Sequence, residues 1–363
     1  MAPPLGIYVH IPFCAVRCGY CDFNTYVSTQ GREGFAGALA QELEYARAQL
    51  GDRPADTVFI GGGTPSLLDP DELHTVLRAI ELAPGAEVTS EANPESATRA
   101  WLEAAREAGV NRISFGMQSA REHVLAALDR VHTPGRVAEA MADARAAGFE
   151  RLSVDLIYGA DGESDDDWEA SVAAALDLEP EHVSAYALVV EPGTKLHARV
   201  RAGHVAPPDD DALAHRYERA DDLFSAAGLH WYEISNWGEP CRHNVGYWRG
   251  HDWWGAGPGA HSHMDGTRWW NLKRPLAWAA RVRAGASPAA GSERLDAETI
   301  RLERVMLGVR LAEGLDPAEL DDHGRAEAER MRAEGLLEPD GPYLTLTRRG
   351  RLLADAVVRR LTP

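Results

Sequence analysis

Three of the four cysteines in this chain fall within eight residues, Cys14-Ala-Val-Arg-Cys18-Gly-Tyr-Cys21, with three and then two residues between them. Thiolates are soft ligands, suited to zinc or to iron–sulfur clusters. A structural zinc site asks for four closed ligands, usually as two separated pairs. An ordinary iron–sulfur cluster asks for four cysteines. Three thiolates on one short loop suit instead a cubane with one iron left open, a place where something can bind and react. Two plainer uses compete. Four cysteines in 363 residues do not make a disulfide framework. A three-cysteine zinc site completed by His10 keeps the same spacing.

Further polar residues are candidates for chemistry. Gly61-Gly62-Gly63 lets backbone approach a ligand closely, or makes a tight turn. Glu91 reads singly as a strand-end acid, Gln118 as a helix-cap residue, and Arg130 with Asp155 as an ordinary ion pair. Their positions along the chain give them more weight. Strands are expected at Gly6–His10, Asp56–Ile60, Glu87–Glu91, Asn111–Gly116, Leu152–Tyr158 and His182–Val190. Helices are expected between them, over Gly34–Leu50, Asp69–Leu82, Pro94–Ala108, Pro134–Ala147 and Asp165–Leu178. Six strands joined by helices predict an α/β fold with a parallel sheet and right-handed crossovers, closing as an open, partial β/α barrel. Reactive residues in such folds sit on loops after the carboxyl ends of strands. The cysteines, the glycines, Glu91 and Gln118 all fall there, and Asp155 lies inside the fifth strand.

The pattern changes near Pro207. A long helix is expected over Asp209–Gly228, then a Trp-, His- and Gly-rich stretch from Trp231 to Trp270. Helices over Thr299–Leu311, Asp316–Leu320 and Gly324–Glu334 and a hairpin over Gly341–Thr347 predict a winged-helix-like module. The expected domains are 1–208 and 209–363, with 290–363 winged-helix-like. The net charge is −19, from 37 Lys+Arg against 56 Asp+Glu, which argues against a nucleic-acid partner. No window approaches the roughly 18 apolar residues of a spanning helix, and Met1-Ala-Pro-Pro-Leu5 has no signal-peptide pattern. Free thiols in a cluster loop require a reducing compartment. A cytoplasmic location is expected, with peripheral membrane contact left open.

The segment Tyr8-Val-His-Ile-Pro-Phe-Cys14 through Cys21-Asp-Phe-Asn24 closely resembles the radical S-adenosylmethionine (radical SAM) superfamily. It looks most like the branch of the oxygen-independent coproporphyrinogen III oxidases and their haem-chaperone relatives. The resemblance implies a six-unit partial barrel and a 4Fe–4S cluster on Cys14, Cys18 and Cys21, with S-adenosylmethionine on the open iron. By the same resemblance Tyr8, Tyr20, Gly62, Gly63, Thr64, Glu91, Gln118, Arg130 and Asp155 line that cofactor. Arg130 would suit its carboxylate.

Two features separate the branches. The oxidases carry a further cysteine where this chain has Phe23, which argues against oxidase activity. His243-Asn-Val-Gly-Tyr247-Trp248 looks like the histidine motif of the haem chaperones. The resemblance therefore implies haem bound through His243 and Tyr247 and passed to an acceptor haemoprotein, with an acceptor at a membrane and a homodimeric carrier both compatible. Imidazole is a common axial ligand of haem iron. Trp248, Trp253 and Trp254 would wall the macrocycle, and Gly255, Gly257 and Gly259 would leave room for it. Cys241 is an inert buried thiol or a second soft ligand, and His251, His261 and His263 are alternative ligands. The plainer use of His243 is local packing. The rival function is oxidative decarboxylation of coproporphyrinogen to protoporphyrinogen IX.

Overall fold

The computed structural model describes residues 3–51 and 53–362. Among the described residues twelve strands form one open sheet: β1 Leu5–Ile11, β2 Ala55–Gly62, β3 Leu82–Ala92, β4 Arg112–Gln118, β5 Arg151–Tyr158, β6 His182–Ala187, β7 Trp231–Glu233, β8 Asn236–Gly238, β9 Asp252–Ala256, β10 His261–Met264, β11 Thr267–Asn271 and β12 Ala289–Arg294. Their order is β12-β11-β10-β9-β1-β2-β3-β4-β5-β6-β8-β7. β1 to β6 pair in parallel and in sequence, joined by helical crossovers. This is the expected partial barrel.

The six parallel strands alternate strictly. Ile7, Val9, Val58, Ile60, Val88, Ile113, Phe115, Leu152, Val154, Leu156 and Val183 belong to one apolar core. The residues between them point the other way, because successive side chains on a strand face opposite sides. Tyr8, Phe59, Thr89, Glu91, Arg112, Ser114, Ser153, Asp155, His182 and Ser184 thus line the barrel's interior.

Some element boundaries moved for identifiable reasons. The helix opened by the Asp69–Glu72 capping box runs over Pro70–Arg78, short of Leu82. The Ala55 N–H donates to the Glu81 carbonyl, and Ala55 pairs with Leu82, so β3 claims that segment. The helix expected from Pro94 starts at Arg99, where the Thr98 side chain caps Trp101. Before it, the Asn93 side chain accepts from the Glu95 N–H and holds a turn. Helices at Glu122–Ala127 and Lys195–Arg201 were not expected. Asp316–Leu320 is a single 3-10 turn over Pro317–Glu319. The Gly341–Thr347 hairpin does not pair with itself: Leu344 bridges to Leu315 and Leu346 to Leu337.

The sheet continues past residue 208. β8 pairs antiparallel with β6, and β9 pairs in parallel with β1, so the 208/209 division falls within one continuous sheet. A separate apolar core gathers Val305, Val309, Leu315, Met331, Leu337, Leu346, Val357 and Leu361. A buried charge cluster ties this tail to the sheet. Asp221, on the helix Asp210–Ala226, accepts from Arg351 Nη2 at 2.7 Å and from Trp237 Nε1 at 2.8 Å. The Arg351 guanidinium also lies over the Trp231 ring, 4.5 Å from its centroid. Breaking a buried pair by removing one partner strands the other charge. Asp221→Ala is therefore expected to cost about 3 kcal/mol or more, read as a lowered urea midpoint by tryptophan fluorescence.

Candidate functional site

The cysteine loop leaves the carboxyl end of β1 and closes on itself. The Tyr26 N–H donates to the Pro12 carbonyl (2.7 Å) and the Cys14 N–H to the Tyr26 carbonyl (3.0 Å). Phe13 packs edge-on against Phe35, ring centroids 5.0 Å apart. Asn24 Nδ2 donates to the Pro258 and Lys273 carbonyls, both at 2.9 Å, and so ties the loop to the far side of the sheet. Burial pulls the His10 imidazole below its ordinary pKa, so it is neutral. Its Nε2 donates to the Asn24 carbonyl (3.0 Å), which leaves Nδ1 to accept from the Tyr8 hydroxyl (2.9 Å). Both ring nitrogens are occupied, and His10 is a brace for the loop and not a fourth ligand.

Cys14, Cys18 and Cys21 are free and half-buried. Among the described residues no three His, Cys, Asp or Glu side chains gather around one ion. Burial pushes the Cys14 thiol up, partly offset by Thr64, and pushes the Cys21 thiol up as well. The protein alone does little to hold these groups as thiolates; a bound metal centre does that by its own charge. Three soft donors on one braced loop fit a 4Fe–4S cluster.

Gly63 shows how closely this loop is packed. Its N–H donates to the Ile11 carbonyl at 2.7 Å. A Cβ there would lie 2.6 Å from the Phe13 carbonyl oxygen and 3.0 Å from Cys14 Sγ.

The loop forms one wall of a cavity of about 760 Å³ in the barrel. The residues expected to hold the cluster, S-adenosylmethionine and the haem iron line it: Tyr8, Tyr20, Gly62, Gly63, Thr64, Glu91, Gln118, Arg130, Asp155, His243 and Tyr247, together with the three cysteines; the expected macrocycle walls, Trp248, Trp253 and Trp254, do not. Glu91 Oε2 accepts from the Gly62 N–H at 3.0 Å. Burial, then the neighbouring Asp155, raise the Glu91 carboxyl from 4.5 to about 7. Asp155 is raised mainly by burial and accepts from the Ser114 hydroxyl at 2.9 Å. Arg130 Nη1 reaches Cys18 Sγ (3.5 Å) and Nη2 donates to the Gly116 carbonyl (2.9 Å), while its buried Nε has no partner among the described residues. Arg130 and Asp155 share the cavity but form no ion pair among the described residues. Gln118 sits at φ 63°, a left-handed backbone uncommon outside glycine, at an irregularity in the β4–β5 pairing. Such strain re-aims its side chain into the cavity.

His243, itself buried, lies on the helix Arg242–Trp248, which is tucked against β2. Burial lowers its imidazole to about 3. The ring stacks on Phe59 at 5.5 Å, with Nδ1 2.8 Å from Thr57 Oγ1 and Nε2 2.8 Å from the Tyr247 hydroxyl. Trp253 packs on Tyr247, centroids 4.8 Å apart. Trp254 does not join them. One residue further along β9, it faces the opposite side of the sheet and packs between Tyr45 and Trp269. The glycines leave no macrocycle slot either: a Cβ on Gly255, Gly257 or Gly259 would strike the His261 carbonyl, the His10 carbonyl or the Asn24 amide. Burial raises the Cys241 thiol to about 11, and its Sγ donates to Glu87 Oε1 at 3.5 Å, so it is a protonated, engaged thiol. His263 Nδ1 is bonded to the His251 carbonyl (3.3 Å), and His261 is exposed beside Trp270.

Sequence reasoning missed Phe59, Ser114, Ser184, Tyr186 and Tyr232, all of which line the cavity. The signal was present for the strand residues: each is a polar or aromatic position alternating with the apolar ones named above.

Residues 8–175 match the radical SAM superfamily, and residues 295–353 match the HemN C-terminal domain. The haem chaperone HemW of Mycobacterium tuberculosis (strain ATCC 25618 / H37Rv) is 53% identical, covering 99% of this chain and 95% of its own. HemW of Bacillus subtilis (strain 168) is 33% identical, with 96% and 97% covered. Among solved structures, the Escherichia coli coproporphyrinogen III oxidase HemN superposes with a TM-score of 0.86 at 20% identity, covering 99% of this chain and 90% of that one.

Two expectations follow. Gly63→Ala should displace Cys14 and reduce cluster incorporation, measured as iron and sulfide content after anaerobic reconstitution. For Glu91, the folded pKa lies above the unfolded one, so the folded chain holds a proton that the unfolded chain releases. Its contribution to stability is complete at low pH and is lost as pH rises through that interval. Ligand-free wild type should thus lose stability relative to Glu91→Gln between about pH 5 and pH 8, measured by urea midpoints.

Proposed function

This chain belongs to the HemW family of haem chaperones within the radical SAM superfamily, and from that premise we propose that it binds haem and hands it to an acceptor haemoprotein. His243 is the observation that carries this reading. It is a neutral, buried imidazole on a cavity wall, held by two hydroxyls that can turn away. Iron needs such a lone pair, and one nitrogen becomes available when Tyr247 or Thr57 withdraws its hydrogen bond. The other bond then fixes the ring's orientation, as partners of metal-bound histidines do.

Superfamily membership implies an iron–sulfur cluster and S-adenosylmethionine. Cys14, Cys18 and Cys21 would hold the cluster, which when bound supplies a one-electron donor beside S-adenosylmethionine. Gly62 and Gly63 let the turn after β2 pack against His10 and Cys14, on the wall that would face that cofactor. Glu91 and Asp155 offer acceptors to its ammonium and hydroxyl groups, and Arg130 offers a fork to its carboxylate. The coproporphyrinogen oxidase reading is less favoured, because Phe23, at the position of the oxidases' additional cysteine, stands 58% exposed at the cavity mouth.

No helix among the described residues is long and apolar enough to cross a membrane. A reducing, cytoplasmic setting suits the three free thiols. An acceptor at the membrane surface and a homodimeric carrier are both consistent with this role.

Anaerobic haem titration of the cluster-loaded protein, followed at the Soret band, tests the reading. Wild type should bind saturably. His243→Ala should bind on the order of tenfold or more weakly, or with altered ligation, since even outer partners of metal ligands contribute that much. Absence of saturable binding in wild type would overturn the reading, and anaerobic conversion of coproporphyrinogen to protoporphyrinogen would then support the oxidase.

A further inference from the structure

A second cavity, of about 460 Å³, opens at the opposite end of the barrel from the cysteine loop. Its walls come from the amino ends of the strands, Leu5 and Gly6 of β1, Thr57 of β2 and Trp253 of β9, closed by Val245 and Leu311. Tyr232, His243 and Tyr247 line both cavities, so these three side chains form the partition between them.

The two cavities differ in what they would hold. The upper one places Glu91 and Asp155 among hydroxyls and must also hold the cluster and its cofactor. With both in place, little of that space is left for a macrocycle. The lower one offers an indole face and aliphatic walls, with an imidazole at its base. Two of its three acids are ion-paired, Asp252 with Arg53 (2.9 Å) and Glu313 with Arg249, while Asp56 accepts from the Leu5 N–H (2.8 Å). Arg242 stands exposed at its rim, bonded to the Gly85 carbonyl (2.9 Å) and to no carboxylate among the described residues. A slot with an indole and aliphatic side chains in its walls, an imidazole inside and a cation at the rim that meets no carboxylate matches an iron tetrapyrrole with peripheral carboxylates.

We propose that haem enters the barrel from this lower end and reaches His243 from there, leaving the upper cavity to the cluster and S-adenosylmethionine. The inference rests on the haem-carrying reading given above and adds the place and direction of binding. Haem and S-adenosylmethionine then occupy opposite sides of one partition and are bound at the same time.

Three substitutions in the cluster-loaded full chain test it. Ala312→Trp fills the lower cavity, Arg242→Glu reverses the charge at its rim, and Val189→Trp crowds the upper mouth. Haem binding is read at the Soret band and S-adenosylmethionine binding by equilibrium dialysis, with cluster absorbance reporting the folded state. Ala312→Trp and Arg242→Glu should weaken haem binding by about tenfold or more, a loss of about 1.4 kcal/mol or more, and leave S-adenosylmethionine binding unchanged. Val189→Trp should leave haem binding unchanged. Arg242 is exposed, so its variant carries the test if Ala312→Trp does not fold. If haem binds wild type saturably but is insensitive to both lower substitutions, or is weakened only by Val189→Trp, the proposed location is wrong while the haem reading stands. Failure of wild type to bind haem removes the haem reading, and the location with it.

Discussion

The two-residue period of the six parallel strands is the constraint on which this molecule depends. One set of side chains, from Ile7 to Val183, is apolar and packs under the crossover helices. The alternate set is polar or aromatic and faces inward. A one-residue slip in register would exchange the two, burying Glu91 and Asp155 against the helices and emptying the barrel of its chemistry. The apolar face therefore fixes, through ordinary core packing, the placement of polar groups that contribute little to stability and whose charged forms burial opposes, as with Glu91.

The cysteine loop is positioned by the same frame from both sides. β1 brings Cys14 to the barrel's carboxyl end, and Asn24 fastens the loop to carbonyls more than two hundred residues later. Glu42, buried on the helix Phe35–Leu50, accepts from the Gly257 N–H (2.7 Å) and from Trp278 Nε1 (2.8 Å), which holds the end of β9 against β1. The strands beyond residue 230 are thus part of the site's scaffold. They also carry the helix with His243 to the partition between the two cavities.

The barrel was legible in the sequence because its signals are local: strand-length apolar runs, glycine stops, and a cysteine spacing that no packing requirement would produce. The candidate residues after each strand end were readable for the same reason, and all but Gly61 line one cavity. The Trp-rich region was not readable. Trp253 and Trp254 are adjacent in sequence, yet face opposite sides of β9, and only the pairing of β9 with β1 decides which faces His243. Gly255 and Gly257 read as room for a ligand but serve close backbone contacts, with the His261 and His10 carbonyls. The lower cavity is assembled from residues between 4 and 313, so no window of sequence contains it.

A haem carrier must both hold its cargo and release it, and a histidine held by two hydroxyls suits that requirement. Ligation and the hydrogen bonds at His243 are mutually exclusive at each nitrogen, so the empty state is satisfied without haem. The most direct test is transfer itself. Haem-loaded, cluster-containing protein is mixed anaerobically with an apo-haemoprotein, and the rate at which the acceptor's spectrum appears is compared with haem loss to an inert scavenger. The account predicts faster transfer to the acceptor than passive release allows. Equal rates would mean that the chain only binds haem, and would contradict its role as a chaperone.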